Sequence, residues 1–391
     1  MRSLSCYGQL MAEQSEDVCL ELERIYDSGF YPALIVHRPW SRHSQTIRGE
    51  LARPAALRWY LQREIQRLID AGADVSVDSA WPRLAFNDPL VFKRSDESDW
   101  DLTKKKLFLF PPERMELSLN RLAHYTGTEA EQFQRYVLFT NYHMHMGAFR
   151  ELFPDCVTPS VPDVQMPAFH HVCENNTGVS IVNIGVGPSN AKTITDHVAV
   201  LRPDLMMMIG HCGGLRNHQE IGDFVLASTY FRADQVLDEV LPLRVPVVSN
   251  FQLNALLHQE LLRRSLPFRM GTVYSTSNRN WEFNQRDALQ HIETARAVAV
   301  DMESATVAAN GFRYRIPSST LLVVSDKPLH GQPKLQGEAR EFYDASKRMH
   351  VEIAIAAVNE VRTQFPQGLP TTDLRSSDEP LIGGPAEELN P

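Results

Sequence analysis

From about residue 136 onward, short apolar runs alternate with stretches of helical periodicity. The runs YVLFT, VSIVNIG, DLMMMIG, DFVLAS, GTVYST, AVAVDM and TLLVVSD have strand length, and several are nearly continuous in apolar residues. Strands covered on both faces have this character, because neither face meets water. Helical patterns fall between or after them, near 189–201, 250–264, 282–294, 303–313 and 338–363. The alternation predicts a three-layer α/β domain around a mostly parallel, mixed central sheet.

The chain ahead of this has a different texture. A helix is predicted from Arg53 and Pro54 through ALRWYLQREIQRLIDAG, with Leu57, Tyr60, Leu61, Ile65, Leu68 and Ile69 on one face and Gly72 at its end. The apolar runs VSV (75–77) and LFLF (107–110) flank a charge-rich loop, SDESDWDLTKKK, and a second helix runs from about Met115 to Tyr125 and stops at Gly127. Thr128 and Glu131 have capping-box spacing for a short helix beyond it. The division expected is a smaller N-terminal α+β domain over 1–128, the α/β domain over 129–365, and an acidic disordered tail over 366–391. From Thr371 the tail carries Asp373, Asp378, Glu379, Glu387 and Glu388 against Arg375 alone.

Composition narrows the function classes. Thirty-nine Lys and Arg against 48 Asp and Glu give a net charge of −9, which argues against a general nucleic-acid binder. No window approaches a membrane span, and the first residues hold no long apolar core of a signal peptide, so a cytoplasmic protein is expected. Five scattered cysteines, Cys6, Cys19, Cys156, Cys173 and Cys212, form no C-x-x-C pair, which argues for reduced thiols. His143, His145, His170, His171 and Cys173 match no metal-site spacing, so no metal is expected.

In open α/β sheets ligands gather beyond the carboxyl ends of strands, and four such ends are unusual here. VSIVNI is followed by Gly185-Val186-Gly187-Pro188-Ser189-Asn190-Ala191, a glycine-rich turn entering a helix, where bare N–H groups can meet an anion or a sugar oxygen. LMMMI is followed by Gly210-His211-Cys212-Gly213-Gly214, which allows close approach of a backbone to something flat or to another strand. AVAV is followed by Asp301-Met302-Glu303, a carboxylate placed for vicinal hydroxyls beside a polarizable apolar side chain. TLLVV is followed by Ser325-Asp326-Lys327-Pro328, where a general acid can be held provided Lys327 points elsewhere, since a close ammonium keeps a carboxyl ionised.

The strings VLFTNY, NIGVGPSNAKT, LMMMIGHCGGLR, IGDFVLA, NRNWE, VDMESATVAA and VVSDKPLHGQPKLQGEAREFY resemble the AMP nucleosidases, N-glycosidases of the purine nucleoside phosphorylase superfamily. HYTGT at 124–128 and the RP-x-x-L-x-x-YL pattern at 53–61 extend the likeness toward the N-terminus. The resemblance implies a nucleoside-phosphorylase-like fold and hydrolysis of AMP to adenine and ribose 5-phosphate through an oxocarbenium-like transition state. It implies that Asp326 protonates N7 of the leaving purine, that Glu303 binds the ribose hydroxyls, and that Met302 packs under the sugar. Asn278, Arg279, Asn280 and Trp281 fall on the base side, Gly185, Gly187 and Ser189 on the sugar and nucleophile side, and Gly213 and Asn141 complete the expected binding positions.

The resemblance implies no required cofactor, admits Mg-ATP as an allosteric effector, and implies a homohexamer serving AMP salvage. Related nucleosidases activate water with a carboxylate after the first strand, where this chain has Asn141, Tyr142, His143 and His145, so no water activator is legible. Arg48, Arg53, Arg279, Lys327 and Lys334 are the basic candidates for a 5′-phosphate, Arg279 first. The alternatives are a phosphorylase or nucleosidase of another purine nucleoside or nucleotide, and a non-catalytic nucleotide sensor.

Overall fold

The computed structural model describes residues 2–39, 45–85, 88–94, 110–332 and 340–369. They divide into two units, one of residues up to 121 with 200–202, the other of 122–199 and 203–369. The loop at 95–106, the first three residues of LFLF, Lys334 and the tail from 370 lie outside the described residues.

The first unit contains α1 (Arg2–Asp27), β1 (Phe30–His37), β2 (Thr46–Glu50), α2 (Arg58–Asp70), β3 (Asp74–Pro82), α3 (Pro89–Arg94) and the start of α4 (Pro112–Thr126). Its antiparallel sheet has the order β2-β1-β3, with Ile35 opposite both Arg48 and Ser76. The expected helix after Arg53 opens as a 3-10 turn, Pro54–Leu57, before α2. Trp59, Tyr60, Leu61, Ile65 and Ile69 of α2 are buried. Gly72 follows with φ +89°, a conformation in which a side chain is strained.

The second unit runs through β4 (Tyr136–Thr140), α5 (His143–Leu152), β5 (Ala168–His171), β6 (Val179–Asn183), α6 (Pro188–Val198), β7 (Leu205–Gly214), β8 (Phe224–Ala233) and α7 (Phe251–Arg263). It continues with β9 (Phe268–Thr276), α8 (Gln285–Thr294), β10 (Ala299–Asp301), α9 (Ser304–Arg313), β11 (Ser318–Asp326) and α10 (Arg340–Gln364). The sheet order is β10-β9-β8-β11-β7-β4-β6-β5, and β10 also pairs with β7. Pairs β4–β6, β4–β7, β7–β11, β8–β9 and β9–β10 are parallel, while β5–β6, β8–β11 and β7–β10 are antiparallel. This is the mostly parallel mixed sheet expected.

The near-continuous apolar runs are explained by two-sided cover. On β11, Leu321 and Val323 join a core with Met146 and Phe149 of α5, Leu257 and Leu261 of α7, and Val351 and Val358 of α10. Leu322 and Val324 point the other way, into a core with Ala305, Ala308 and Ala309 of α9. Burying each such aliphatic side chain is worth about 1.5–3 kcal/mol, so the strand ends inherit a rigid base.

Several expectations are corrected. The capping box is displaced by one residue: the Glu129 N–H donates to Gln132 Oε1, and Glu129, not Thr128, is the cap. Thr128 is otherwise engaged, its hydroxyl pairing with His170 Nε2 at 2.8 Å. The expected tail does not begin loose at 366, because Leu369 is buried in the α10 core. Among the described residues no helix is long and apolar enough to cross a membrane.

Candidate active site

Three strand ends converge on one carboxylate. Glu303 follows β10 and is 2% exposed. The Gly187 N–H donates to its Oε1 at 2.6 Å, and Asn141 Nδ2 donates to its Oε2 at 3.1 Å. Gly187 stands at the head of α6, with φ +114°, so its amide reaches the carboxylate from a backbone that only glycine adopts readily. Gly185, also at positive φ, donates its N–H to Asn183 Oδ1 and so closes the turn between β6 and α6. Asn141 is anchored by its neighbours: Tyr142 N donates to Thr140 Oγ1, which also pairs with His145 Nδ1 at 2.7 Å. Asn141 Oδ1 is buried without a partner, 3.2 Å from where a Cβ on Gly210 would stand.

Burial, and next the neighbouring Asp301 carboxylate, push the Glu303 carboxyl well above its ordinary range, while the Gly187 and Met302 amides and the Arg279 charge pull it back. Asp301 is itself raised by burial. It is held by Ser275 Oγ at 2.5 Å, by Ser304 N at 2.9 Å and by the Ser304 hydroxyl. Both carboxyls are raised by burial and Asp301 raises Glu303 further, so the pair titrates as a unit and holds a proton above the ordinary carboxylate range.

Asp326 ends β11 and is half-buried. Ser325 Oγ lies 2.5 Å from Asp326 Oδ1 and 3.3 Å from the Cys212 carbonyl. Lys327 is buried, and its ammonium donates to the Asn217 carbonyl at 3.1 Å, so it has a partner away from the neighbouring carboxyl. Gly213 joins the two acid-bearing strands, since it pairs with Asp326 of β11 and with Val300 of β10. A Cβ there would meet Val300 Cγ1 at 2.9 Å and Pro328 Cδ at 3.4 Å.

The remaining expected residues divide. Met302 is half-buried beside Glu303. Asn278, Arg279 and Asn280 are exposed in the turn after β9, and the Arg279 charge acts on Glu303. Trp281 is 6% exposed and packs with Leu215, Tyr274, Ile292 and Val300. Its large apolar ring gains more from that core than from water. Ser189 is exposed on the first turn of α6, its carbonyl accepting from Thr193.

Of the basic candidates, Arg48 is paired with Asp78 and Glu50 in the N-terminal sheet. Sequence reasoning missed Asp301 and Ser325 as partners, although each stands within two residues of a chosen acid. Among the described residues no group of three His, Cys, Asp or Glu is placed to hold a metal. His170 is instead fixed between the Ser180 and Thr128 hydroxyls.

Residues 140–359 match the phosphorylase superfamily. The chain is 38% identical over 407 aligned residues to the AMP nucleosidase of Escherichia coli K12, covering 86% of this chain and 83% of that one. A DeoD-type purine nucleoside phosphorylase of Bacillus velezensis is 24% identical over 44% of this chain and 75% of its own. Among solved structures, the AMP nucleosidase from Bacteroides thetaiotaomicron superposes with a TM-score of 0.54 at 27% identity, covering 64% of this chain and 99% of that one. Purine nucleoside phosphorylase from Toxoplasma gondii gives 0.53 at 16% identity over 61% and 95% of the two chains, a likeness of fold.

Proposed function

Because the chain belongs to the AMP nucleosidase family of the phosphorylase superfamily, we propose that it works on AMP through two carboxyl groups, Asp326 and Glu303. It is an N-glycosyl hydrolase that cleaves AMP to adenine and ribose 5-phosphate. Asp326 donates a proton to N7, so that adenine departs neutral and takes the electrons of the C–N bond. The ribosyl ring gains oxocarbenium character, water adds at its anomeric carbon, and the proton released restores the acid. Glu303 accepts hydrogen bonds from the ribose hydroxyls, and these strengthen as positive charge builds on the sugar.

The observation that carries this reading is the convergence of Gly187 and Asn141 on Glu303. Two donors from other strand ends fix a buried carboxylate that is otherwise unfavourable in place, and such strain is characteristic of functional sites. Met302 lies under the sugar, while Gly185, Gly187 and Ser189 line its edge. Gly213 gives the purine a flat approach, and Asn278 and Arg279 flank the base with Trp281 as their support. Arg279, exposed and electrostatically linked to Glu303, is the candidate for the 5′-phosphate. A cytoplasmic homohexamer in AMP salvage, with Mg-ATP as effector, completes the proposal by family likeness.

The test is to incubate pure protein with AMP, with adenosine plus phosphate, and with other nucleoside monophosphates, and to separate the free bases. Release of adenine from AMP without phosphate, reduced at least about 10²-fold in Asp326→Asn with binding preserved, is expected. Near-native turnover in that folded variant overturns the role of Asp326.

A further inference from the structure

Ser325 has one hydroxyl proton and two acceptors within reach, Asp326 Oδ1 at 2.5 Å and the Cys212 carbonyl at 3.3 Å. It cannot donate to both well, and which acceptor it serves depends on the state of the acid. An ionised Asp326 is acceptor-only, so the short contact requires Ser325 to donate. A protonated Asp326 that carries its O–H on Oδ2, the oxygen left to face the purine, makes Oδ1 a neutral and weaker acceptor, so the Ser325 proton can turn to Cys212 O. The Ser325 hydroxyl keeps a partner in both arrangements, and no heavy atom has to move. Ser325 is 5% exposed, so water does not substitute freely for either partner.

Resting on the assignment of Asp326 as the acid, we propose that the Ser325 hydroxyl is a positioning residue whose rotation between Cys212 O and Asp326 Oδ1 accompanies proton transfer to the purine. Before cleavage Asp326 holds the proton and Ser325 donates to Cys212. As the proton passes to N7 and the C–N bond electrons pass to the base, negative charge appears on Asp326. The hydroxyl turns to meet it with a charge-assisted bond, about twice as strong as a neutral one. The interaction is made fully only as charge develops, so it lowers the barrier and leaves substrate binding little changed. When the adding water releases its proton to Asp326, the hydroxyl returns to Cys212.

The pairing explains a detail of the strand. The β7–β11 register slips between Val324 and Asp326, skipping Ser325. The slip leaves Ser325 Oγ beside the Cys212 carbonyl and lets the next residue reach Gly213. Titratable groups on the elements packed against this point are His211 of β7, Asp223 ahead of β8, and Lys327 and His330 in the following loop. None of them is altered by changing Ser325.

The experiment measures kcat, KM and the pH–rate profile on AMP for Ser325→Ala, Ser325→Thr, Asp326→Asn and the Ser325→Ala/Asp326→Asn double variant. Ser325→Ala should lose roughly 10-fold or more in kcat with KM within about twofold. Because the ionised acid loses the stronger bond, the basic limb of its profile should move to higher pH. Ser325→Thr, which keeps the hydroxyl, should restore the limb. Adding Ser325→Ala to Asp326→Asn should cost nothing further, because the proton it serves is gone.

An unmoved limb with kcat within twofold of native, or an equal loss in the Asp326→Asn background, overturns the proposal. If Asp326→Asn itself turns over AMP normally, the failure lies with the acid assignment instead, so the two outcomes are separable.

Discussion

Replacing Glu303 by Gln should stabilise the free protein while disabling it. The glutamine keeps the shape and the Oε1 acceptor for the Gly187 N–H, and the Asn141 amide can turn its unpartnered Oδ1 toward the new NH2 group. What disappears is a carboxyl raised by burial and by Asp301. The folded protein binds that proton more tightly than the unfolded chain does. Its stability contribution is therefore full below the ordinary carboxylate range and is lost as pH rises through the raised folded value.

Each unit of the shift is worth about 1.4 kcal/mol, so Glu303→Gln should gain roughly 1–3 kcal/mol over the native protein at pH 8 and almost nothing at pH 5. For a unit of this size that is about 2–4 °C per kcal/mol in Tm. Thermal melts of both proteins at the two pH values, with adenine release measured alongside, make the comparison. Turnover on AMP should fall by about 10² to 10³, the scale for removing one preorganised polar contact to a developing charge. A gap in Tm that is the same at pH 5 and pH 8, or undiminished turnover, refutes the reasoning.

Arg279→Ala should reduce the preference for AMP over adenosine by about 10-fold or more, read from the ratio of kcat/KM values; an unchanged ratio moves the phosphate contact to another residue. Gly213→Ala places a methyl 2.9 Å from the stiff Val300 side chain, so a loss of about 1–3 kcal/mol and a lower kcat are expected, and a native Tm would show that the strands yield. Burial lowers His170 to about 3 and His350 to about 4. The unfolded chain therefore binds protons first as pH falls below about 6.5, and in the Glu303→Gln variant, where the opposing carboxyl is gone, the unfolding free energy from urea melts should be flat above pH 7 and drop steeply toward pH 4, by several kcal/mol in all. A flat profile from pH 7 to pH 5 in that variant contradicts the burial of the two histidines.

The second unit was legible because its strands are buried on both faces. Runs such as TLLVV stand out where nothing polar interrupts them, and the glycines and acids that follow mark their ends. The N-terminal unit was harder. β1 contains Pro32 in FYPALIVH, which weakens a strand signal, and α1 lacks an acidic first turn and a proline or glycine to announce it. β5 is four residues, AFHH, at the sheet edge, too short for alternation to register. α5 follows its strand after two residues and opens on HMHMG, which has no capping residue.

At the candidate site, the sequence drew attention to Glu303 and Asp326 but not to what holds them. Gly187 and Asn141 lie 116 and 162 residues away from Glu303, and no local pattern connects them. The packing of Trp281 was hidden for a related reason. The aromatic residue in a polar loop looks available in sequence, and only the packing of α8 and β10 shows which way it turns.

The last strand among the described residues is a middle strand of its sheet. β11 lies between β8 and β7, and without it the strand row divides into β10-β9-β8 and β7-β4-β6-β5, joined only by the two-residue β7–β10 pairing. A nascent chain emerging from the ribosome must therefore wait for its C-terminal third before the halves can be joined. The strand that joins them also carries Asp326. A chain interrupted upstream lacks both Asp326 and the strand that makes the sheet continuous, so the sheet and this carboxyl are completed together.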